Sequence, residues 1–240
     1  MTAANVWVGK SSSYLLSDTA QFRADGTVCA FGSKVATSDR LRIAITSSGA
    51  AQFSTRDDIA TWLDQQETQE AALHALPELI RALRAAMREA SRRPDFVAFA
   101  GDIPCFSQYF IAIWSLDRRQ PEAYIIGTDQ GFFPSQVRPL QLFPVGAYVA
   151  PDVAAAWKPR IDGGPDPAFE PARNGLDMIK EQRFVVDNEG NYVVGGCAEL
   201  TTVSESGVSV ELLHAWPDRI NKPIRHGWVE RWGRWARHHR

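Results

Sequence analysis

Cysteine is scarce in this 240-residue chain, and the three present, Cys29, Cys105 and Cys197, stand far apart. They make neither a CxxC pair nor a disulfide framework, so they read as small buried residues. No apolar run approaches the roughly 18 residues that a membrane-crossing helix needs. The first residues lack a basic segment followed by an apolar one, so no secretory signal is expected and a cytoplasmic location is. Charge of one sign is also missing: the net charge is −2 and the pI about 6.2, which gives no footprint for nucleic acid. There is no G-x-S-x-G elbow, and His74, His214 and His226 sit in no recognisable setting, so a Ser-His-Asp triad has little support. His238-His239 at the end of the chain read as surface histidines rather than metal ligands.

Three polar residues are placed with more regularity. Thr2, Asp18 and Lys34 follow one another at intervals of 16 residues. Thr2 lies directly behind Met1. If Met1 is removed, a threonine at the N-terminus carries a hydroxyl nucleophile and its own base, the α-amine, whose reference pKa is near ~8. The intervening segments read as strands and turns. Val6-Trp7-Val8 is a short β-prone run, with a turn at Gly9-Lys10. Tyr14-Leu15-Leu16 is a second strand ending at Ser17-Asp18-Thr19, and Asp25-Gly26 marks a hairpin. Thr27 to Phe31 leads to Gly32-Ser33-Lys34, and Leu41 to Thr46 forms a further strand closed by Ser47-Ser48-Gly49. Adjacent strands of one sheet would bring Thr2, Asp18 and Lys34 together.

This arrangement resembles the proteasome β-subunit/HslV group of N-terminal nucleophile (Ntn) hydrolases, which place an N-terminal Thr, an Asp and a Lys at this spacing. A glycine 15 residues beyond the Lys belongs to the same pattern and is Gly49 here. The resemblance implies an α+β fold, a four-layer α-β-β-α sandwich of two antiparallel sheets. It also implies an N-terminal-threonine peptidase or amidohydrolase acting by acyl transfer on peptide or other amide bonds. Thr2 would be the nucleophile and its α-amine the base. Asp18 would orient Lys34 and the amine, Lys34 would stabilise charge, and the Gly49 N–H would bind the oxyanion. No metal or organic cofactor is required. A homo-oligomer is implied; an unfoldase partner is left open, and no nucleic-acid partner or integral membrane segment is expected.

Further along, Ser54 to Asp57 reads as a helix start, followed by an Ile59, Trp62, Leu63 stripe. A longer helix spans about Gln69 to Ser91, with Pro77 predicting a kink or a break. Its late arginines read as a solvated face. Asp95 to Gly101, Tyr109 to Trp114 and Ala123 to Thr128 are expected as strands, and Thr128-Asp129-Gln130-Gly131 as a turn. Residues 158–171 carry loop punctuation, a helix follows to about Arg183, Asn188-Glu189-Gly190 is a turn, and strands are expected from Tyr192 and over Val208 to Leu213.

Some of the family pattern is missing. The segment expected to bring a serine to the nucleophile reads Val145-Gly146-Ala147, and the helper Asp and Ser before Gly195-Gly196 fall near Asn191 and Val194. Ser13, Ser48 and Ser135 are candidate substitutes. Singly, Thr2, Asp18, Lys34 and Gly49 have ordinary readings as a chain start, a turn former, an exposed charge and a turn glycine. Jointly they read as an Ntn-type site. The alternative is a catalytically silent member of the same fold that serves as an oligomeric scaffold or binding protein. The domain is expected over 1–225, with a basic, Trp-rich tail over 226–240. There Trp228, Trp232 and Trp235 share one helical face, read first as a subunit-docking surface, ahead of a membrane-surface contact, a fold back onto the chain's own sheet or, last, a nucleic-acid contact.

Overall fold

A computed structural model describes residues 2–49, 55–100, 107–129, 138–150, 169–227 and 231, with Thr55 and residues 98–100 described by their backbone alone. The strands are β1 (Ala4–Val8), β2 (Ser12–Asp18), β3 (Ala20–Phe22), β4 (Val28–Phe31), β5 (Ala36–Ser38), β6 (Ile43–Gly49), β7 (Ser107–Ser115), β8 (Gln120–Gly127), β9 (Phe143–Pro144), β10 (Ala147–Ala150), β11 (Cys197–Ser204) and β12 (Gly207–Ala215). The helices are α1 (Thr55–Gln65), α2 (Gln69–Ala90), α3 (Pro94–Ala100) and α4 (Pro171–Gln182).

Two five-stranded antiparallel sheets form the body, in the orders β10-β1-β2-β11-β12 and β5-β6-β7-β8-β9. The alternation of the strands accounts for the layering. In β1 and β2, Ala4, Val6, Val8 and Leu15 meet Phe110, Ala112, Ala123 and Ile125 of the other sheet in one buried cluster. The alternate positions, Trp7 and Leu16, pack on Met178 and Ile179 of α4. On the far side, Ile43, Ile45, Ile111 and Ile113 pack on Ile59 and Leu63 of α1 and on Leu76 and Ile80 of α2. The protein is thus an α+β, four-layer α-β-β-α sandwich.

Two details tie α4 to the first two strands. Asn5 and Gln182 exchange amide hydrogen bonds of 2.9 and 2.8 Å in a fully buried setting. Gly175 lets the helix sit directly on β2, since a Cβ there would lie 1.9 Å from Leu16 Cδ2. Among the described residues no helix is long and apolar enough to cross a membrane.

Several elements differ from the sequence reading. Asp95 to Ala100 is helical, not a strand: a short apolar run fits either, and Pro94 at the first helical position supplies the helical φ without losing a bonded N–H. α2 runs unbroken through Pro77, capped by the Thr68 side chain on the Ala71 N–H (3.1 Å) and held down by Ala72, Leu76 and Ile80. Packing of that stripe outweighs the one helical bond that Pro77 cannot make. β6 begins at Ile43 and continues through Ser47 and Ser48 to Gly49. Tyr192 to Gly196 is not strand; β11 starts at Cys197. Trp228, Trp232, Trp235, His238, His239, Cys105, Ser135, residues 158–168 and the Gln130-Gly131 half of the expected turn lie outside the described residues.

Candidate active site

Local structure explains how residues 16 apart come together. The two-stranded β3-β4 ribbon turns at Asp25-Gly26, where Asp25 Oδ1 accepts from the Thr27 N–H (2.9 Å) and hydroxyl (2.6 Å) and Gly26 takes a φ of 75°. Its register pairs Ala20 with Phe31, and the Gly32 N–H donates to the Thr19 carbonyl at 3.0 Å. The chain therefore leaves the sheet after Asp18 and returns to the same place, delivering Lys34 to Asp18.

Thr2 and Asp18 are fully buried, and the Lys34 side chain is only 8% exposed. The Lys34 ammonium donates to Thr2 Oγ1 and, at 2.9 Å, to Asp18 Oδ1. Asp18 is saturated with donors: the Ala3 N–H at 3.0 Å on Oδ1, and the Gly195 and Ala20 N–H groups at 2.9 and 3.3 Å on Oδ2. Thr46 Oγ1 donates to the Lys34 carbonyl (3.2 Å), and Ser48 Oγ to the Thr2 carbonyl (3.4 Å), so β6 braces both ends of the Thr2–Lys34 contact. Gly49 is the next residue of that strand, with a φ of 99°. Burial pushes the Lys34 pKa below the usual 10.5, against the Asp18 charge and hydrogen bond and, more weakly, Glu199 and Cys29, which pull it back up.

A second buried ion pair backs the first. Arg183 closes α4 and reaches Asp218 with contacts of 2.8 and 3.3 Å, the Val194 carbonyl at 3.2 Å, and the Trp216 ring, whose centroid is 4.4 Å away. Asp218 Oδ2 also accepts the Gly196 N–H at 2.8 Å. Successive N–H groups, of Gly195 and Gly196, therefore serve two different buried carboxylates. This explains the departure of 192–196 from strand geometry: Gly196 has a φ of 75°, and a Cβ there would meet Thr19 Oγ1 at 2.5 Å. Arg183→Ala leaves Asp218 buried without its cation, and a loss of about 3–5 kcal/mol is expected in a denaturant melt. Arg183→Lys restores little of it, because an ammonium cannot reproduce the two-pronged contact.

The structure thus gathers Thr2, Asp18 and Lys34 in one hydrogen-bonded group and sets Gly49 one residue beyond Ser48, which touches Thr2. Val145-Gly146-Ala147 is elsewhere. The Gly146 carbonyl accepts from the Val8 N–H, at the end of β1 farthest from Thr2. Ser13 is also remote from the site, donating to the Ile113 carbonyl at 2.7 Å. Asn191 is bound to Asp187. Of the candidate serines within the described residues, Ser48 is the one at the site. A cleft of about 580 Å³ lined by Val8, Lys10, Arg118, Glu122 and Tyr124 also opens at the distal end of β1 and has no part in the Thr2 group.

The fold is a four-layer sandwich of the proteasome-like kind. No family model matches the chain, and no curated protein matches it. Solved structures do: a Gly-1 mutant of Anbu from Hyphomicrobium sp. strain MC1 is similar over 99% of this chain and 96% of its own, with a TM-score of 0.58 and 12% identity. Identity this low speaks for the fold alone. The likeness also corrects the family resemblance drawn from the first fifty residues. With an Anbu protein as one such structural relative, the relationship is to the sandwich fold and not to the HslV-like family specifically.

Proposed function

We propose that the protein is an N-terminal-threonine amidohydrolase or peptidase in which Thr2, freed by removal of Met1, is the nucleophile. The contact of the Lys34 ammonium with both Thr2 Oγ1 and the saturated Asp18 carboxylate carries this reading. In the reaction, Thr2 Oγ forms a bond to the amide carbonyl carbon and its proton passes to the α-amine. The oxyanion is met by the Gly49 N–H, and collapse breaks the C–N bond as the leaving amine takes the proton from the α-ammonium. Water then hydrolyses the ester by the same route in reverse. Lys34, held cationic by Asp18, favours the alkoxide-like oxygen and lowers the pKa of the nearby amine. In this reading the chain assembles with copies of itself.

The silent-scaffold reading draws support from one observation: Thr2 has no exposed surface. Removing Met1 takes away atoms bonded directly to Thr2, so the two readings separate in one experiment. The intact mass of the untagged protein is expected to show loss of one methionine, and a threonine-directed electrophile is expected to add once, at Thr2. Retained Met1, or an acetylated Thr2 amine, removes the base and leaves the scaffold.

The pH dependence is a second test. Labelling of Thr2 is expected to fall as Lys34 loses its proton, with the alkaline limb below the ordinary lysine value of 10.5. Between the folded-state pKa and 10.5 the unfolded chain holds the extra proton, so the Lys34 contribution to stability rises with pH there. A loss of labelling that coincides with unfolding in parallel melts contradicts the assignment.

A further inference from the structure

Gly195 and Gly196 are gripped from opposite sides. The Gly195 N–H donates to Asp18 Oδ2 at 2.9 Å, and its carbonyl accepts from the Thr19 and Ala20 N–H groups at 3.2 and 3.1 Å. Both polar groups of Gly195 are thus taken up where β2 gives way to β3. Gly196 faces the other way. Its N–H donates to Asp218 Oδ2 at 2.8 Å, and its carbonyl accepts from the Trp216 N–H at 2.8 Å, so the segment after β12 holds both. Arg183 fixes Asp218 in turn and also holds the Val194 carbonyl; the two side chains of the pair are 2% and 5% exposed. The pair presses directly on Gly195, where a Cβ would lie 2.6 Å from Asp218 Oδ2 and 3.1 Å from Arg183 Nη1. Close packing transmits displacement, so a shift of Asp218 is felt at the N–H that Asp18 accepts.

The same segment reaches the arm that carries Lys34. The Asn221 N–H donates to the Val28 carbonyl at 2.8 Å, the Val28 N–H donates to the Lys222 carbonyl at 3.0 Å, and Pro223 forms a bridge with Thr27. Ile224 packs among Ala20, Phe22 and Val28. Residues 216–224 therefore hold Asp18 through the two glycines and the β3-β4 ribbon through Val28. Lys34 meets Asp18 where these two arms converge. We propose that Asp218 is a positioning residue of the Thr2 site, seated in a strap after β12 that sets the Asp18 carboxylate and the Lys34 ribbon relative to each other. It acts through the Gly195 and Gly196 peptides. The proposal rests on the reading of Thr2 as nucleophile for its purpose, and one of its two readouts is independent of that reading.

The test is Asp218→Asn in the full-length chain, read in two ways well below its melting temperature. Isotope labels on threonine carbonyls and alanine nitrogens single out the Thr-Ala pairs, 2–3 and 19–20. Their amide signals belong to Ala3 and Ala20, the N–H groups that Asp18 accepts on Oδ1 and Oδ2. The Ala3 amide proton is expected to move upfield as its charge-assisted hydrogen bond to a displaced carboxylate weakens. Labelling of Thr2 by the electrophile is expected to slow by on the order of 10²-fold, the effect of misplacing a reacting group by about 1 Å. Glu122→Gln is the control: it breaks the Arg118–Glu122 pair in the distal cleft and is expected to leave both readouts in place. An unmoved Ala3 signal in D218N, labelling as fast as in the parent, or an equal loss of labelling in E122Q overturns the proposal. Should D218N fail to fold, Asp218→Glu keeps the charge beside Arg183 and displaces the carboxylate by one methylene. Both changes are then expected at smaller size, and their absence overturns the proposal equally. A moved Ala3 signal where the parent takes no label at Thr2 removes the hydrolase reading alone, and a labelled parent with an unmoved Ala3 signal in D218N removes Asp218 alone.

Discussion

Thr2→Ala is expected to abolish electrophile labelling and amide hydrolysis, by at least ~10³-fold, while leaving the fold in place. The two halves of that expectation come from different terms. The hydroxyl is the bond-forming atom, and no other described side chain sits where it does: Ser48 Oγ is committed to the Thr2 carbonyl, and Ser13 is at the other end of β2. Stability loses only the hydrogen bond from Lys34 to Oγ1, about 1–2 kcal/mol. Thr2→Ser keeps hydroxyl and amine and is expected to retain measurable labelling. A structural threonine gives the opposite pattern, in which Ala and Ser variants differ little in function. Activity that survives in Thr2→Ala assigns the chemistry to another residue and sinks the site.

How much of this could be read in the sequence depends on which interactions are local. The spacing of Thr2, Asp18 and Lys34 was legible because it reflects strand lengths. β1 and β2 form one antiparallel pair that returns Asp18 to the start of the chain, and β3-β4 is a second excursion that returns Lys34 to Asp18. The Asp25-Gly26 turn signalled that second return. Gly195-Gly196 stood out as a pair, but its role needed the fold: only across β2 and β11 does Gly195 meet Asp18, and only the segment after β12 brings Asp218 to Gly196. The inward face of β11 was invisible. In Cys197–Ser204 the polar positions 199 and 201 look like the solvent face of a half-buried strand. The second sheet covers that face, which alternation in one strand cannot reveal. The short elements failed for a similar reason. β5 and β10 have three and four residues and depend on neighbours for their pairing, and the apolar run after Pro94 is too short for its period to choose between helix and strand.

Asp18→Asn is the substitution with the largest expected cost to the molecule as a whole. Four donors converge on this carboxylate. Oδ1 takes the Ala3 N–H and the Lys34 ammonium; Oδ2 takes the Gly195 and Ala20 N–H groups. An asparagine offers one accepting oxygen and one NH₂, so in either orientation two donors face an N–H group rather than a lone pair. If the amide nitrogen replaces Oδ1, it opposes Lys34 directly. If it replaces Oδ2, it pushes Gly195 out of the segment that Arg183 and Asp218 hold from the other side. Either way the lysine keeps its burial and loses the charge that compensates it. Breaking a buried pair by removing one partner costs about 3–5 kcal/mol. Against a total stability of roughly 5–15 kcal/mol, that is a large fraction. For a chain of this size a fall in Tm on the order of 10 °C is expected. Lys34→Met is expected to cost less, although it too leaves a buried carboxylate without its cation, because Asp18 keeps three backbone donors while the apolar side chain removes the buried ammonium. Both variants lose the labelling of Thr2, so calorimetry separates them. A Tm for Asp18→Asn within about 2 °C of the parent shows that the four contacts do not hold the carboxylate as described, and an Asp18→Asn protein more stable than Lys34→Met reverses the order of dependence between the two residues.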